Sequence, residues 1–232
     1  MAQWATSLIM PCNASLVKFS RALAEHDMFS RKTSIISRFA GVMLAIKEGP
    51  DLVRRLAKAT KHDGNPSMDG WMLEMWFFAS LRHGGVTLFD INDKEFQNWP
   101  ESNVKTLDIN SFPTLPENNG VWFKPSKWNQ GGFDAIFLDK SKGLVKFVQV
   151  TGGDTHSFKI EYFNSFLIAL SQSPQSFSVT SVEIIFVVDQ KKRSTFKLKP
   201  PSVTGILKDF GWISGEEMEK VKICFIKGWS DL

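Results

Sequence analysis

Four polar positions in the middle of the chain have residue types and spacings that could support chemistry. Glu74 lies within WMLEMWFFASLR, residues 71–82, a run that is otherwise almost entirely apolar. A carboxylate is rarely buried in such a helix unless it is paired, hydrogen-bonded or bound to a metal. Asp134 follows two glycines and opens an apolar segment, and Gln149 and Thr151 end the next segment, VKFVQVT. Polar residues that replace apolar ones at the end of a buried strand commonly form part of a site.

Asp134 and Gln149 are suited to bind a hard cation together. If their segments pair as a hairpin, the Asp134 carboxylate and the Gln149 amide oxygen can hold one Mg²⁺ or Mn²⁺ between them. Such a cation polarises the scissile phosphate and lowers the pKa of a bound water. A helix predicted from Thr155 to Leu170 would direct its N-terminus, a favourable position for a phosphate oxygen, to the same place. The sequence therefore predicts a metal-dependent phosphodiesterase.

The segment that carries these residues, GGFDAIFLD…FVQVTGGDTHSFK, resembles a divergent PD-(D/E)XK restriction-endonuclease-like core. Its Gln-x-Thr followed by His156, with Glu74 on the preceding helix, is similar to the nuclease domains of Crinkler-type effectors and retrotransposon hot spot proteins. The similarity extends over roughly residues 70–229 and includes VEIIFVVD and KVKICFIKGW. It implies an α+β fold with a mixed β-sheet flanked by helices, of restriction-endonuclease-like type. It also implies catalytic roles for Glu74, Asp134, Gln149, Thr151 and His156.

The resemblance further implies cleavage of nucleic acid, with DNA favoured over RNA, inside a cell. Some members of the family are delivered into host cells and act in the nucleus, so a host protein or a fusion partner is also expected. In this chain Gln149 replaces the family's carboxylate ligand and Thr151 replaces its lysine. Lys159 is a better replacement for that lysine than Lys146, because strand alternation places Lys146 on the face opposite Gln149. One alternative is a catalytically inactive nuclease fold that binds nucleic acid or protein. Another, based on residues 1–66 alone, is a helical interaction domain fused to a small sheet domain.

Three of the candidate residues also have an ordinary structural interpretation. Glu74 can be a buried carboxylate paired with an arginine such as Arg82. Asp134, directly after two glycines, can be a turn residue. His156 can be a surface or capping residue near the start of a helix.

Hydrophobic periodicity and chain breakers predict the elements that position these residues. An N-terminal helical segment, residues 1–66, has apolar residues at helical spacing at Leu16, Phe19 and Leu23 and again between Ile35 and Ile46, and a further helix is expected over Leu52–Thr60. The Glu48–Pro50 corner separates these helices, Asp51 is expected to cap the second, and residues 62–67 form a linker to a sheet domain over residues 67–232. Residues 90–120 are expected to be irregular. Strands are expected at Val86–Phe89, Val121–Phe123, Phe133–Leu138, Leu144–Thr151, Val182–Asp189, Phe196–Leu198 and Val221–Lys227.

Basic residues define three regions that could contact a phosphate backbone. In the N-terminal segment, Arg54, Lys58 and Lys61 share one helical face, for which a solvated surface is the alternative. In WFKPSKW, residues 122–128, Lys124, Lys127 and Trp128 interleave cations with aromatic rings that could stack on bases, unless this loop only packs onto the sheet. The third region is Lys191–Arg193 with Lys197 and Lys199, an expected exposed hairpin tip.

Length and composition exclude several classes of protein. The chain has 232 residues, 43% of them hydrophobic, which is enough for a packed core and excludes general disorder. It has no apolar run of the roughly 18 residues that a membrane-spanning helix needs, so no membrane partner is expected. Its two cysteines, Cys12 and Cys224, exclude a disulfide-built fold and a cysteine-ligated zinc site. A net charge of +4 is compatible with anionic partners but selects none.

Overall fold

The structure, a computed structural model, describes residues 38–60, 66–127 and 131–229. The predictions made for Leu16, Phe19 and Leu23, and those for Lys61 and Trp128, lie outside these residues. The domain boundary predicted at residue 66 adjoins residues 61–65, which also lie outside, so the division into two domains stays a prediction. In the described part of the chain no helix is both long enough and apolar enough to cross a membrane.

The described elements comprise helices on both faces of a large sheet. The α-helices are α1 Arg38–Glu48, α2 Pro50–Thr60, α3 Pro66–Arg82, α4 Ile160–Ser171 and the short α5 Glu217–Lys220. The strands are β1 Val86–Asp90, β2 Glu95–Trp99, β3 Val104–Leu107, β4 Val121–Pro125, β5 Ala135–Asp139, β6 Leu144–Thr151, β7 Thr155–Ser157, β8 Ser181–Val188, β9 Lys197–Lys199 and β10 Lys222–Ile226.

Eight strands form one mixed sheet in the order β2-β1-β10-β8-β6-β5-β4-β3. Its centre is an antiparallel meander, β4-β5-β6, in which Ala135 lies opposite Val148. Helix α4 then connects β6 to β8, which pairs in parallel with β6 on one side and with β10 on the other. The predicted α+β class, a mixed sheet flanked by helices, is confirmed.

Alternating side chains of β6 divide the interior into two cores. Val148 and Val150 face α1, α2 and α3, where the core includes Val42 and Phe77. Phe147 and its neighbours on the other face pack against the apolar stripe predicted for α4, Phe163, Phe166, Leu167 and Leu170. Helices α1 and α2 therefore share a hydrophobic core with one face of the sheet.

The corner between α1 and α2 explains how the N-terminal helices fold back onto α3. Gly49 has φ +87°, a left-handed conformation that costs glycine little, and α2 begins at Pro50. The predicted corner is confirmed. Asp51 lies inside the first turn of α2, so its predicted role as a cap is wrong.

Two expectations for the chain between α3 and α4 are wrong. Residues 90–120 contain β2 and β3, which the sequence analysis treated as irregular. Both strands are largely polar and half-exposed, because they lie at or near the edges of the sheet, and they lack a clear apolar alternation. The helix expected from Thr155 begins only at Ile160, because Thr155–Ser157 is β7, which pairs in parallel with β9 in a separate two-stranded sheet.

The segment after β8 does not form the expected hairpin. Its strands β8 and β9 belong to different sheets, and a short 3-10 helix at Gln190–Lys192 begins the connection between them. Asp189 caps this helix by accepting from the Lys191 N–H at 2.8 Å. The basic residues 191–193 are therefore held by local structure, close to the two-stranded sheet.

Candidate functional site

Asp134 lies immediately before β5 and is fixed to the end of β6 by its backbone and its side chain. Its N–H donates to the Val148 carbonyl at 2.8 Å, and its Oδ2 accepts from the Val150 N–H at 2.8 Å. The Gln149 amide Nε2 donates to the same Oδ2 at 2.6 Å. Asp134 is therefore an anchored side chain between the two strands, and the turn itself is supplied by Gly132, with φ +88°.

Glu74 is fully buried in α3 and has two cationic partners from other elements. Lys124 of β4 donates from Nζ to Glu74 Oε1 at 2.9 Å, and Nε of Arg38 donates to Oε2. The alternative pairing of Glu74 with Arg82 is wrong, because Arg82 instead contacts Glu101 at 3.1 Å on the surface. Eight residues along a helix separate two side chains by about 12 Å, which is too far for this pair.

Arg38 joins the two carboxylates that the sequence analysis identified separately. While its Nε binds Glu74, its Nη2 donates to Asp134 Oδ1 at 2.8 Å. A continuous chain of polar contacts thus runs from Lys124 through Glu74, Arg38 and Asp134 to Gln149. Arg38 was not among the predicted site residues, because it is one of many basic residues near the N-terminus. The one available signal was the need of two buried carboxylates for cations.

Burial and neighbouring charges shift the pKa values of side chains in this site. Burial, and then the nearby Glu74 charge, raise the pKa of Asp134 to about 7, although Arg38 partly opposes the rise. Burial lowers the pKa of the Arg38 guanidinium, but the Asp134 and Glu74 carboxylates outweigh it, and the net pKa is above the ordinary value. Burial, and then the charge of Lys159, lower the pKa of His156, so this imidazole is neutral at pH 7.

A cavity of about 460 Å³ opens beside Asp134. Its lining brings together four predicted site residues, Asp134, Gln149, His156 and Lys159, and adds Arg38 and Tyr162. Thr151 is not part of this lining; its Oγ1 accepts from the Gly153 N–H at 3.2 Å. Glu74 also lies outside the lining, but it accepts a hydrogen bond from Arg38, which lines the cavity.

Lys159 and Tyr162 form the wall of the cavity at the start of α4. Lys159 immediately precedes the helix, whereas the predicted start at Thr155 would have put it one turn inside. Its Nζ lies 5.9 Å from the centroid of the Tyr162 ring. The predicted opposite orientation of Lys146 is confirmed, since its Nζ binds Glu183 at 2.8 Å. Of the two lysines, Lys159 is therefore the one available to the cavity.

The other residues predicted to bind nucleic acid are distributed over separate surfaces. Lys124 is 6% exposed and bound to Glu74, so its predicted place in a nucleic-acid surface is wrong. Lys127 and Lys58 are exposed. Arg54 is also exposed, binds Asp51 at 2.8 Å and lies 4.8 Å from the centroid of the Trp76 ring. Contacts of these exposed residues with nucleic acid stay predictions.

The described side chains do not fit a divalent metal ion in this arrangement. Across residues 38–60, 66–127 and 131–229, no group of three or more His, Cys, Asp or Glu side chains is placed to hold one. Both oxygens of Glu74 and both of Asp134 already accept from N–H donors. Gln149 turns its amide nitrogen, not its oxygen, toward Asp134, because the carboxylate there requires a donor. A cation shared by Asp134 and Gln149 would have to displace Arg38.

Comparisons of the chain with protein-family models, with curated proteins and with solved structures find no match.

Proposed function

We propose that this chain is a nucleic-acid-binding module on a restriction-endonuclease-like scaffold, and that its cavity receives a backbone phosphate without a metal ion. The order of elements supports the scaffold, since a helix carrying Glu74 precedes a strand pair carrying Asp134 and Gln149, followed by a helix and a parallel strand. This is the order that the resemblance implies. The function rests on the charge of the cavity.

The positive charge of the cavity is the observation that carries this proposal. Arg38 and Lys124 balance the charges of Glu74 and Asp134, and Lys159 adds a further cation that forms no ion pair within the described ranges. Because the pKa of Asp134 is about 7, its partial protonation near neutral pH makes the site more positive still. Such a site favours an anion and repels a divalent cation.

The cavity also offers suitable donors to a phosphate. Arg38 uses Nε and Nη2 for the two carboxylates, and no described residue bonds its Nη1, while 28% of its side chain is exposed. The Lys159 ammonium lines the same cavity. Arginine and lysine are the usual phosphate donors in nucleic-acid-binding proteins, and a charge-assisted hydrogen bond is stronger than a neutral one.

Metal-dependent cleavage is the second candidate, and one observation favours it. The structure brings the backbone-anchored Asp134 next to Gln149 and within one side chain, Arg38, of Glu74, which are the residues to which the resemblance assigns the reaction. Cleavage by this route would require Arg38 to leave the carboxylates.

An oligonucleotide experiment separates the two candidates. The wild-type protein is titrated with labelled DNA and RNA in EDTA, and incubated with the same molecules in Mg²⁺ or Mn²⁺. We expect binding in EDTA and no metal-dependent cleavage. We also expect Lys159→Gln to weaken binding. Lys142→Gln, at the opposite end of the β5–β6 hairpin, should leave binding unchanged. Failure to bind in EDTA, or cleavage that EDTA stops and Asp134→Ala abolishes, would refute the proposal.

A further inference from the structure

The two-stranded sheet beside the cavity presents a row of lysines. Strands β7 and β9 pair in parallel, with Thr155 opposite Lys197 and Ser157 opposite Lys199. In both strands the outer positions are exposed and the middle one is half-buried. Because side chains alternate along a strand, all four of these residues point to the solvent side of the small sheet.

The opposite face of this small sheet fixes it onto the main core. The middle residues are His156, whose ring centroid lies 5.4 Å from that of Phe186, and Leu198, which packs against the core on the α4 face. The lysine row is therefore backed by packed side chains and has a defined position. Since Thr155 and Ser157 also line the cavity, Lys197 and Lys199 lie directly beside its wall.

The nearby carboxylate is already paired. Asp154 forms an ion pair with Lys192, whose Nζ lies 3.2 Å from Asp154 Oδ1, and the same Nζ donates to the Gly152 carbonyl at 2.6 Å. Within the described part of the chain, no ion pair joins Lys197 or Lys199 to a carboxylate, so their charges are available to a ligand. Two lysines that alternate along a strand lie about 7 Å apart, which makes a linear array.

An aromatic side chain occupies the other wall of the cavity. Tyr162 is 39% exposed, whereas the Phe and Trp side chains that the structure describes are buried or half-buried. Its ring packs over the Gly131–Gly132 backbone so closely that a Cβ at Gly131 would lie 2.4 Å from the ring. The ring can therefore pack in this position because both residues are glycines, and a side chain at either one would clash with Tyr162.

We infer that the β7–β9 lysine row and Tyr162 together bind a single-stranded nucleic acid across the cavity, with phosphates along the row and one base on the tyrosine. This inference rests on the proposed function and names its ligand. A positive track combined with an exposed aromatic ring is the arrangement that binds single strands, because unpaired bases are free to stack. In a duplex the bases are already stacked and cannot reach the ring.

The test uses the full chain and labelled 12-nucleotide probes of one sequence: single-stranded DNA, single-stranded RNA, duplex DNA, and a single strand with one abasic position. Four variants are compared with the wild type. Lys197→Gln/Lys199→Gln removes the row, Tyr162→Leu removes the ring, Tyr162→Phe keeps it, and Lys142→Gln is the surface control. Thermal melts confirm that each variant is folded.

Single strands should bind more tightly than the duplex. Tyr162→Leu should weaken that binding roughly tenfold, and Tyr162→Phe should not. The plot of log affinity against log salt should be less steep for the double lysine variant, by about 1.4. This value is two lost phosphate contacts at about 0.7 each for a single strand. The wild type should bind the abasic strand less tightly than the intact single strand. Tyr162→Leu should bind these two strands equally tightly. Tighter binding of DNA or of RNA identifies the natural strand, and either result supports the inference.

Two results would overturn the inference in distinguishable ways. Duplex binding equal to or tighter than single-strand binding, unaffected by Tyr162→Leu and by loss of the lysine row, would refute the single-strand track and leave the proposed function standing. Failure of the wild type to bind any probe would refute both the single-strand track and the proposed function.

Discussion

Replacing Arg38 by methionine should destabilise the protein strongly, and more at alkaline than at acidic pH. Arg38 is the residue that Glu74 and Asp134 share. Methionine keeps much of the side-chain length and removes the charge and the N–H donors. Glu74 then retains Lys124, while Asp134 retains only its neutral donors from Gln149 and Val150.

The magnitude follows from the burial of the partners. The side chains of Glu74 and Asp134 are 1% and 10% exposed, and that of Arg38 is 28% exposed. Removing one member of a buried ion pair costs roughly 3–5 kcal/mol, so the partly exposed Arg38 should be worth about 3 kcal/mol at pH 8.5. At pH 5.5 Asp134, with a pKa of about 7, is protonated, and the loss reduces mainly to a charged hydrogen bond to Glu74, about 1.5 kcal/mol.

The sign of the pH effect comes from Asp134. Without Arg38 the pKa of its carboxyl rises further, because burial and the negative charge of Glu74 are then opposed by just the two weaker influences that lower it, the Val150 N–H and the Lys124 charge. Each unit of that rise adds about 1.4 kcal/mol to the cost at a pH above the new pKa. Below the wild-type value of about 7 the carboxyl is protonated in both proteins and adds nothing.

Urea unfolding at several pH values between 5.5 and 8.5 measures this difference. The matched control is Arg55→Met, which removes an exposed arginine from α2 and should change the free energy of unfolding by less than about 0.5 kcal/mol. A cost for Arg38→Met that matches this control at pH 8.5, or that does not vary with pH, would refute the ion-pair chain described above.

Three further predictions concern the same interior. The wild-type free energy of unfolding should fall as pH rises from about 4 to about 7. The reason is that native Asp134, with a pKa of about 7, keeps a proton that the unfolded chain, with an Asp pKa near 3.8, has released. In Asp134→Asn, urea unfolding should show a smaller dependence on pH, and an unchanged dependence would assign it to other groups. Lys124→Met should cost about 3 kcal/mol in the same assay, while the partly exposed Lys140→Met should cost under about 0.5; equal losses would contradict the buried pair with Glu74. Burial, and then the charge of Asp90, raise the pKa of the Cys224 thiol to about 12, so peptide mapping after iodoacetamide treatment at pH 8 should find Cys224 unmodified in the native protein and alkylated in urea; native labelling would show that the thiol is accessible.

Elements with strong local patterns were predictable from the sequence. The bounds of β6 were predicted correctly, because Leu144–Thr151 alternates and ends at two glycines. The burial of Glu74 and the apolar stripe of α4 followed from helical spacing in the same way. Strands β2 and β7 were missed because their residues gain strand structure only by pairing with β1 and β9. Such pairing is a tertiary effect that overrides local propensity.

The composition of the site was predictable only in part. Asp134 and Gln149 were expected to be neighbours because a hairpin brings the start of one strand to the end of the next, and their side chains do meet. Their cationic partners were not predictable, because ion pairing depends on which surfaces face each other after folding. Glu74 pairs with Arg38 and Lys124, which are 36 and 50 residues away, and not with an arginine on its own helix.

The contact between Arg38 and Asp134 closes a loop of 96 residues, which links the site to the order in which the chain assembles. Closing so long a loop costs entropy, which the free energy of packing must offset. We therefore expect this contact to form only after α1 has docked and the β5–β6 hairpin is in place. Ligand binding would then report on complete folding. A chain cleaved between α2 and α3 would regain its site only when the two pieces reassociate, so the bimolecular rate of recovered binding would measure the docking of α1 directly.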